Sequence, residues 1–301
     1  GGACAKGSNP ALPALLPWSE MDESVMDELD RRSLLLTSLG LGATAALGPS
    51  LAAMTPKNEE LFSISLAEWS FHRALHAGEL DPRDFAPLAR KEFGLGIVEH
   101  VNTFFQDKAV DFAYLADLKG RADDAGVKSG LIMCDAEGEL GDADQAARRK
   151  AIENHFRWIA AARYLGCHSI RVNAAGQGAP EEGSKRAADS LHRLAEMGDL
   201  YAIDVIVENH GGSSSNGAWL AATIQAAAHA RVGTLPDFGN FDLGGGKTYD
   251  RYQGVAELMP FARSVSAKSY AFDARGEETT IDYHRMLKIV VDAGYRGCRG
   301  V

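Results

Sequence analysis

The sequence predicts an α/β fold, a parallel (β/α)8 barrel of the TIM type, and three observations carry that prediction. From about residue 61, short Val/Ile/Leu-rich runs alternate with amphipathic helical stretches in seven and a half units of about thirty residues. The runs are apolar almost throughout, as strands covered on both faces are. Polar residues gather at the C-terminal ends of the runs, the end where such barrels carry their chemistry. A doubly wound sheet would show a glycine-rich phosphate turn after its first strand, and this chain has Glu68-Trp69-Ser70-Phe71 there.

Each element has its own signal. LFSISLAEW is the first strand, and DPRDFAPLARKEF is a helix with Asp81 at its N-cap and Pro82 at N1. GIVEHVNTFF is the second strand, followed by a helix over 109–125 that Gly126 closes. VKSGLIMCD is the third strand, with a long amphipathic helix from about Asp142 to Leu165. HSIRVNAAG and AIDVIVENH are the fourth and fifth strands, with helices over 181–197 and 217–230. VGTLPDF and SVSAKSYAF are the sixth and seventh, and IDYHRMLKIVVDAG is the helix after them. The run Gly244-Gly245-Gly246 lies in a late loop without nucleotide-binding spacing. GCRGV opens an eighth strand, in which the barrel is expected to be truncated.

Residues 1–53 read as a leader and 54–301 as the barrel domain. Arg31-Arg32 precede an uncharged stretch over 33–53 that Gly40, Gly42, Gly48 and Pro49 dilute below a membrane span, and Ser50-Leu51-Ala52 is a small-x-small cleavage site. This order resembles a twin-arginine signal. It implies the twin-arginine export machinery as a partner and a periplasmic location, with a signal anchor as the alternative. Translation is expected to start at Met21 or Met26, within the leader.

Composition sets the outer limits. With 46% hydrophobic residues in 301, general disorder is excluded. The balance of 31 basic to 41 acidic residues argues against a nucleic-acid partner. Cys4, Cys134, Cys167 and Cys298 form no C-x-x-C pair, so neither a zinc knuckle nor a dense disulfide framework is indicated.

The candidate site follows from the strand ends. They read Glu99-His100-Val101-Asn102, Arg171-Val172-Asn173, Glu208-Asn209-His210, Asp237-Phe238-Gly239-Asn240 and Ser266-Ala267-Lys268-Ser269. Five strands with polar groups at one end exceed what capping and core satisfaction require. Alternation puts Glu208 with His210, Arg171 with Asn173, and Ser266 with Lys268 on common faces. Glu208 and Asp237, on neighbouring strands, supply two carboxylates at one height. They would start a site for an oxygen-preferring divalent ion, or one of them pairs with Lys268 or Arg171 as a buried ion pair.

SLAEWSFHRAL, GIVEHVNTFF, LGCHSIRVNAAG, VIVENHGGSSSNGAWL, TLPDFGNF and VSAKSYAFD carry a resemblance that runs from about Phe62 to the C-terminus. The chain resembles the sugar phosphate isomerase/epimerase superfamily, with its xylose isomerase-like TIM barrel, in an exported branch. The resemblance implies one divalent metal (Mn, Mg, Co or Zn) held by Glu, Asp, His and Glu from strands five to eight. Glu208 and Asp237 match the first two. Ser266 stands where the histidine is usual, with Lys268 two residues on, and His210 is a possible substitute imidazole. The Gly-x-Glu of strand eight would follow Gly297-Cys298-Arg299, and the sequence stops at Val301.

The expected activity is isomerisation or epimerisation of a sugar or keto-sugar through an enediolate. A lyase or dehydratase using the same enolisation and a noncatalytic sugar-binding barrel are the alternatives. Glu208 and Lys268 are the catalytic candidates. Trp69, Glu99, Asn102, Arg171, Asn173, Asn209, His210 and Asn240 are the substrate-binding ones, with Phe105 as a further apolar wall. Glu99 is also an acid-base candidate or a buried partner for Arg171. The partner is a small carbohydrate, with a homo-oligomer possible. The DNA-repair branch of this barrel needs a histidine-rich three-zinc cluster and a basic groove, and the sequence shows neither.

Overall fold

A computed structural model describes residues 62–301 apart from Ala175 and Gln177; the leader, residues 1–53, with its twin-arginine motif, lies outside the described residues. The chain runs β1 (Ser63–Ala67), α1 (His72–Ala77), α2 (Phe85–Phe93), β2 (Ile97–Val101), α3 (Phe112–Asp124), β3 (Lys128–Met133), α4 (Gln145–Leu165), β4 (Ser169–Val172) and α5 (Pro180–Tyr201). It continues through β5 (Asp204–Glu208), α6 (Gly217–Ala227), β6 (Val232–Leu235), β7 (Asp242–Gly244), β8 (Lys247–Thr248), α7 (Arg251–Leu258), β9 (Val265–Ser266), α8 (Tyr283–Asp292) and β10 (Cys298–Gly300).

Eight of the strands form one sheet in the order β6-β5-β4-β3-β2-β1-β10-β9, with every pairing parallel. The two ends approach through parallel bridges Thr234↔Ala262 and Asp237↔Ser266, so the barrel is nearly closed. This is the (β/α)8 fold that the sequence predicts. Its consequence for function is local: Asp237 and Ser266 face each other across the closing seam.

Caps set the helix starts. Asp111, Asp144, Asn216, Asp250 and Asp282 each accept a backbone N–H of the first turn of α3, α4, α6, α7 and α8. Asp81 caps a 3-10 turn over Pro82–Asp84 that leads into α2, so the Asp-Pro signal works one turn earlier than expected. Gly94 and Gly166 end α2 and α4 in the left-handed conformation, which costs glycine nothing.

Alternation along the strands separates two cores. Leu66 and Val98 point outward and pack with Phe85, Ala86 and Ala89 of α2. The larger outer layer centres on Trp158, Ile159, Leu191 and Leu194 of α4 and α5 over Ile170, Val172, Val205 and Val207. Inside the barrel, Ala67, Val101, Leu131, Met133, Ile206 and Leu235 form an apolar plug beneath the polar strand ends. Cys134, Cys167 and Cys298 are free thiols. Among the described residues no helix is long and apolar enough to cross a membrane.

Two elements differ from expectation. The triple-glycine loop is the turn of a hairpin, with Asp242 paired to Thr248 and Gly244 to Lys247. The seventh strand keeps only Val265 and Ser266, because Lys268 and the residues after it leave the sheet to line the mouth of the barrel.

Candidate active site

A cavity of about 1080 Å³ opens at the C-terminal ends of the strands. Arg171, Glu208 and Asp237 lie at its floor, Asp135, His210, Ser266 and Lys268 border it, and Trp69 stands at its rim. Glu208 ends β5, and Asp237 follows β6 by two residues. Both side chains are buried, so each charge needs partners.

Those partners are built in. Asp237 Oδ1 accepts the backbone N–H groups of Gly239 and Asn240 at 2.6 and 2.8 Å. Its Oδ2 accepts the Ser266 hydroxyl at 2.8 Å and lies 4.0 Å from Lys268 Nζ. Glu208 Oε1 accepts Asn240 Nδ2 at 3.2 Å. Glu208 Oε2 lies 2.9 Å from Arg171 Nε, close enough for an ion pair but off the hydrogen-bond axis. Lys268 Nζ donates to Asn240 Oδ1 at 3.3 Å, so Asn240 links Lys268 to Glu208 through one side-chain amide.

Electrostatics separate the groups. Burial, reinforced by the Glu208 charge and opposed by Lys268, pushes the Asp237 carboxyl up to about 7. Burial would also raise Asp135, but Arg171 and Asn173 more than offset it and hold Asp135 low. Desolvation would weaken the Arg171 guanidinium; Glu208 and Asp135 outweigh that and raise it. His210 is exposed to solvent at the concave mouth, and partial desolvation, then Arg171, depress its basicity.

The structure brings together Trp69, Arg171, Glu208, His210, Asp237 and Lys268 around one cavity, with Asn240 bonded to three of them. Trp69, on a 3-10 turn after β1, is half exposed; its ring stacks on His72 at 4.8 Å and faces Phe104 at 6.4 Å. Asn209 sits behind the site: its Nδ2 donates to the carbonyls of Asp237 and Asn240, and its Oδ1 accepts the Asp237 N–H.

Other expectations need correction. None of Glu99, His100, Val101 and Asn102 lines the cavity. Asn102 is buried, bonded to the backbone of Asp135 and to Glu137, and shapes the loop after β3. Asn173 orients Asp135 from 2.8 Å and is absent from the cavity wall. Phe105 is buried against Trp158, and its neighbour Phe104 takes the place beside Trp69.

Glu99 lies inside the barrel below the site, where its Oε1 accepts the Ser65 hydroxyl at 2.6 Å and its Oε2 has no partner. Burial raises its carboxyl to about 7. It does not pair with Arg171, whose carboxylate partners are Glu208 and Asp135. It borders a separate cavity of about 320 Å³ at the other end of the strands, with Ile97, Lys128, His168 and Cys298.

Asp135 is the residue that sequence reasoning missed. It follows β3 and holds Arg171 Nη1 at 2.6 Å from the cavity wall. The signal was available: IMCD ends the third strand on a charged group, as the other strands do.

The divalent-ion site expected at Glu208 and Asp237 would have to use this donor set. Three of the four carboxylate oxygens of Glu208 and Asp237 accept protein hydrogen bonds, and the fourth faces Arg171. Among the described residues no group of three His, Cys, Asp or Glu side chains converges. All four oxygens are thus engaged by protein donors or by Arg171, with Lys268 at 4.0 Å from Asp237 Oδ2, so the two carboxylates as they are held do not fit a divalent ion. Of the two readings open from sequence, the structure shows the ion pair.

The chain belongs to the xylose isomerase-like TIM barrel family, whose model matches residues 88–301. Solved structures share the fold. A 3-keto-D-glucoside 4-epimerase from E. coli superposes with a TM-score of 0.61 at 15% identity, over 79% of this chain and 90% of the other. The IOLI protein with a zinc atom gives 0.60 at 13%, over 80% and 88%. A probable 3-DHS dehydratase from Bacillus anthracis gives 0.60 at 16%, over 80% and 92%. No curated protein matches the chain.

Proposed function

We propose that the protein is an isomerase or epimerase of a sugar or keto-sugar that moves a proton beside a carbonyl through an enediolate. The observation that carries this reading is the pair of buried carboxylates, Glu208 and Asp237, converging with Arg171 and Lys268 on one cavity. Sugar epimerases among the structural neighbours agree with it.

The chemistry needs a base, an acid and positive charge near the carbonyl oxygen. Glu208 takes the proton from the carbon next to the carbonyl. The C–H electron pair becomes the C=C bond of the enediolate, and the carbonyl π pair moves onto oxygen, facing Lys268 and Arg171. Asp237, raised toward neutrality beside a charged Glu208, returns a proton. Delivery to the opposite face of the same carbon, as the oxyanion pair re-forms the carbonyl, gives the epimer. For the isomer, the hydroxyl proton of the deprotonated carbon passes to the oxyanion, its oxygen becomes the new carbonyl, and the proton is delivered to the former carbonyl carbon. Trp69 supplies an aromatic wall for the apolar face of a sugar ring, and Asn240 and His210 are placed for hydroxyl groups.

The test is solvent exchange. Keto-sugars incubated with the protein in D2O should gain deuterium at the carbon beside the carbonyl by NMR, and Glu208→Gln should slow that exchange by about 10²–10⁴-fold. Binding of sugars without exchange would identify a noncatalytic binder, and an unsaturated product would identify a lyase. The leader supports a periplasmic site of action; N-terminal sequencing of the mature form should find it beginning near residue 54.

A further inference from the structure

We propose that the Lys268 ammonium is the electrophilic cation of this site: a positive charge fixed to the chain stands where a resident divalent ion would otherwise balance the Asp237–Glu208 pair. The inference rests on the isomerase reading for its chemistry and on geometry for its placement.

Three observations place the charge. Lys268 Nζ lies 4.0 Å from Asp237 Oδ2 and 3.3 Å from Asn240 Oδ1, and Asn240 in turn bonds Glu208. The ammonium therefore already faces the polar atoms that a bound cation would use. Asp237 Oδ2 also accepts the Ser266 hydroxyl, so an incoming ion would have to break that bond as well.

The backbone that carries Lys268 is held. The Tyr283 hydroxyl bonds the carbonyls of Ala267 and Lys268, and the Ala267 N–H donates to the Gly300 carbonyl. A lysine brought in for solubility would not be clamped at the seam of the barrel with its head group over a buried carboxylate. The side chain is about one-quarter exposed, so its remaining N–H bonds are open to the cavity and to a substrate oxygen. Arg171 is less suited to this role, because it is buried and committed to both Glu208 and Asp135.

In the reaction, Lys268 donates a hydrogen bond to the carbonyl oxygen as the π pair moves onto it. The proton stays on nitrogen while Glu208 holds the carbon-derived proton, so charge is conserved with no added ion. Lys268 touches the reacting atoms and is a catalytic residue in that sense.

The experiment measures metal and catalysis separately, on the full chain. Elemental analysis after dialysis should find substoichiometric divalent metal, and neither EDTA nor millimolar manganese chloride should move the melting temperature. One equivalent of retained metal, or a melting temperature that falls with EDTA and recovers with manganese, would overturn the proposal even if no substrate were known. With a substrate that exchanges deuterium, Lys268→Met should lower kcat by about 10²–10³-fold with KM little changed, and Lys268→Arg should recover part of the loss. A Lys268→Met protein that melts as wild type does and keeps its kcat would also overturn it. Absence of exchange with every sugar would refute the isomerase reading and leave the metal result standing on its own.

Discussion

Glu99→Gln tests the electrostatics of the barrel interior. Glu99 is buried beneath the active site with one oxygen bonded to Ser65 and the other unpartnered, and its carboxyl sits near 7 against an ordinary 4.5. Desolvation is the main cause, with the charge of Glu208 adding to it and the Ser65 bond opposing it. In the unfolded chain the side chain loses its proton near pH 4.5, whereas in the folded chain it keeps it until about 7. Between those values the folded state binds more protons than the unfolded state, so stability falls as pH rises and the loss is complete above pH 7. A shift from 4.5 to 7 corresponds to about 3 kcal/mol at 1.36 kcal/mol per unit.

Glutamine keeps the acceptor for Ser65 and cannot ionise. Its amide leaves a buried donor unpaired, but so does the protonated acid, and that cost does not change with pH. The informative quantity is therefore the difference in slope. Urea unfolding from pH 4.5 to pH 8 should show wild type losing about 3 kcal/mol relative to Glu99→Gln across that range. Near-equality at the acid end and a more stable variant at the alkaline end is the expected pattern. Parallel curves would refute the reasoning, since they would mean that Glu99 ionises in the fold as freely as in the open chain.

Asn209→Ala should cost about 2–4 kcal/mol in urea unfolding and lower kcat as well, because it strips three buried bonds that fix the loop carrying Asp237 and Asn240. Trp69→Ala should leave the melting temperature nearly unchanged, since the ring is 45% exposed. It should raise KM for a sugar roughly 2–10-fold in steady-state kinetics through the lost aromatic face. Gly300→Ala should destabilise the barrel by about 1–3 kcal/mol, measured by thermal unfolding, because its methyl group would lie 2.5 Å from Glu99 Oε2.

Much of this molecule is legible in its sequence, and the illegible parts have physical causes. The strands are uninterrupted apolar runs and the helices begin at Asp or Asn caps, so local chemistry reports them directly. Helix α7 escapes notice because Gly254 lowers its helical propensity. The fold needs that glycine, since a methyl group there would stand 2.2 Å from the Phe241 ring. The reason lies in a contact between segments, which no local pattern contains. The hairpin of β7 and β8 hides in the same way behind glycines that supply its turn.

The site divides along similar lines. Strand alternation and one barrel end place Glu208, Asp237, Arg171 and Lys268 together, and in the structure the four line one cavity. It misplaces Glu99 because it says which face a residue takes but not how deep along the tilted strand it sits. Glu99 faces inward as expected, yet the apolar layer of Val101, Leu131 and Met133 accompanies it inside the barrel, and its carboxylate occupies the space that a side chain at Gly300 of β10 would need. Depth also explains why two inward acids behave differently. Asp237 reaches the mouth, where backbone N–H groups, Ser266 and Lys268 surround it. Glu99 stops short of those donors and keeps one hydroxyl partner. Both carboxyls are raised by burial, but of the two only Asp237 lines the cavity at the strand ends. The proton that Glu99 keeps up to about pH 7 therefore bears on stability, whereas the one on Asp237 faces the cavity.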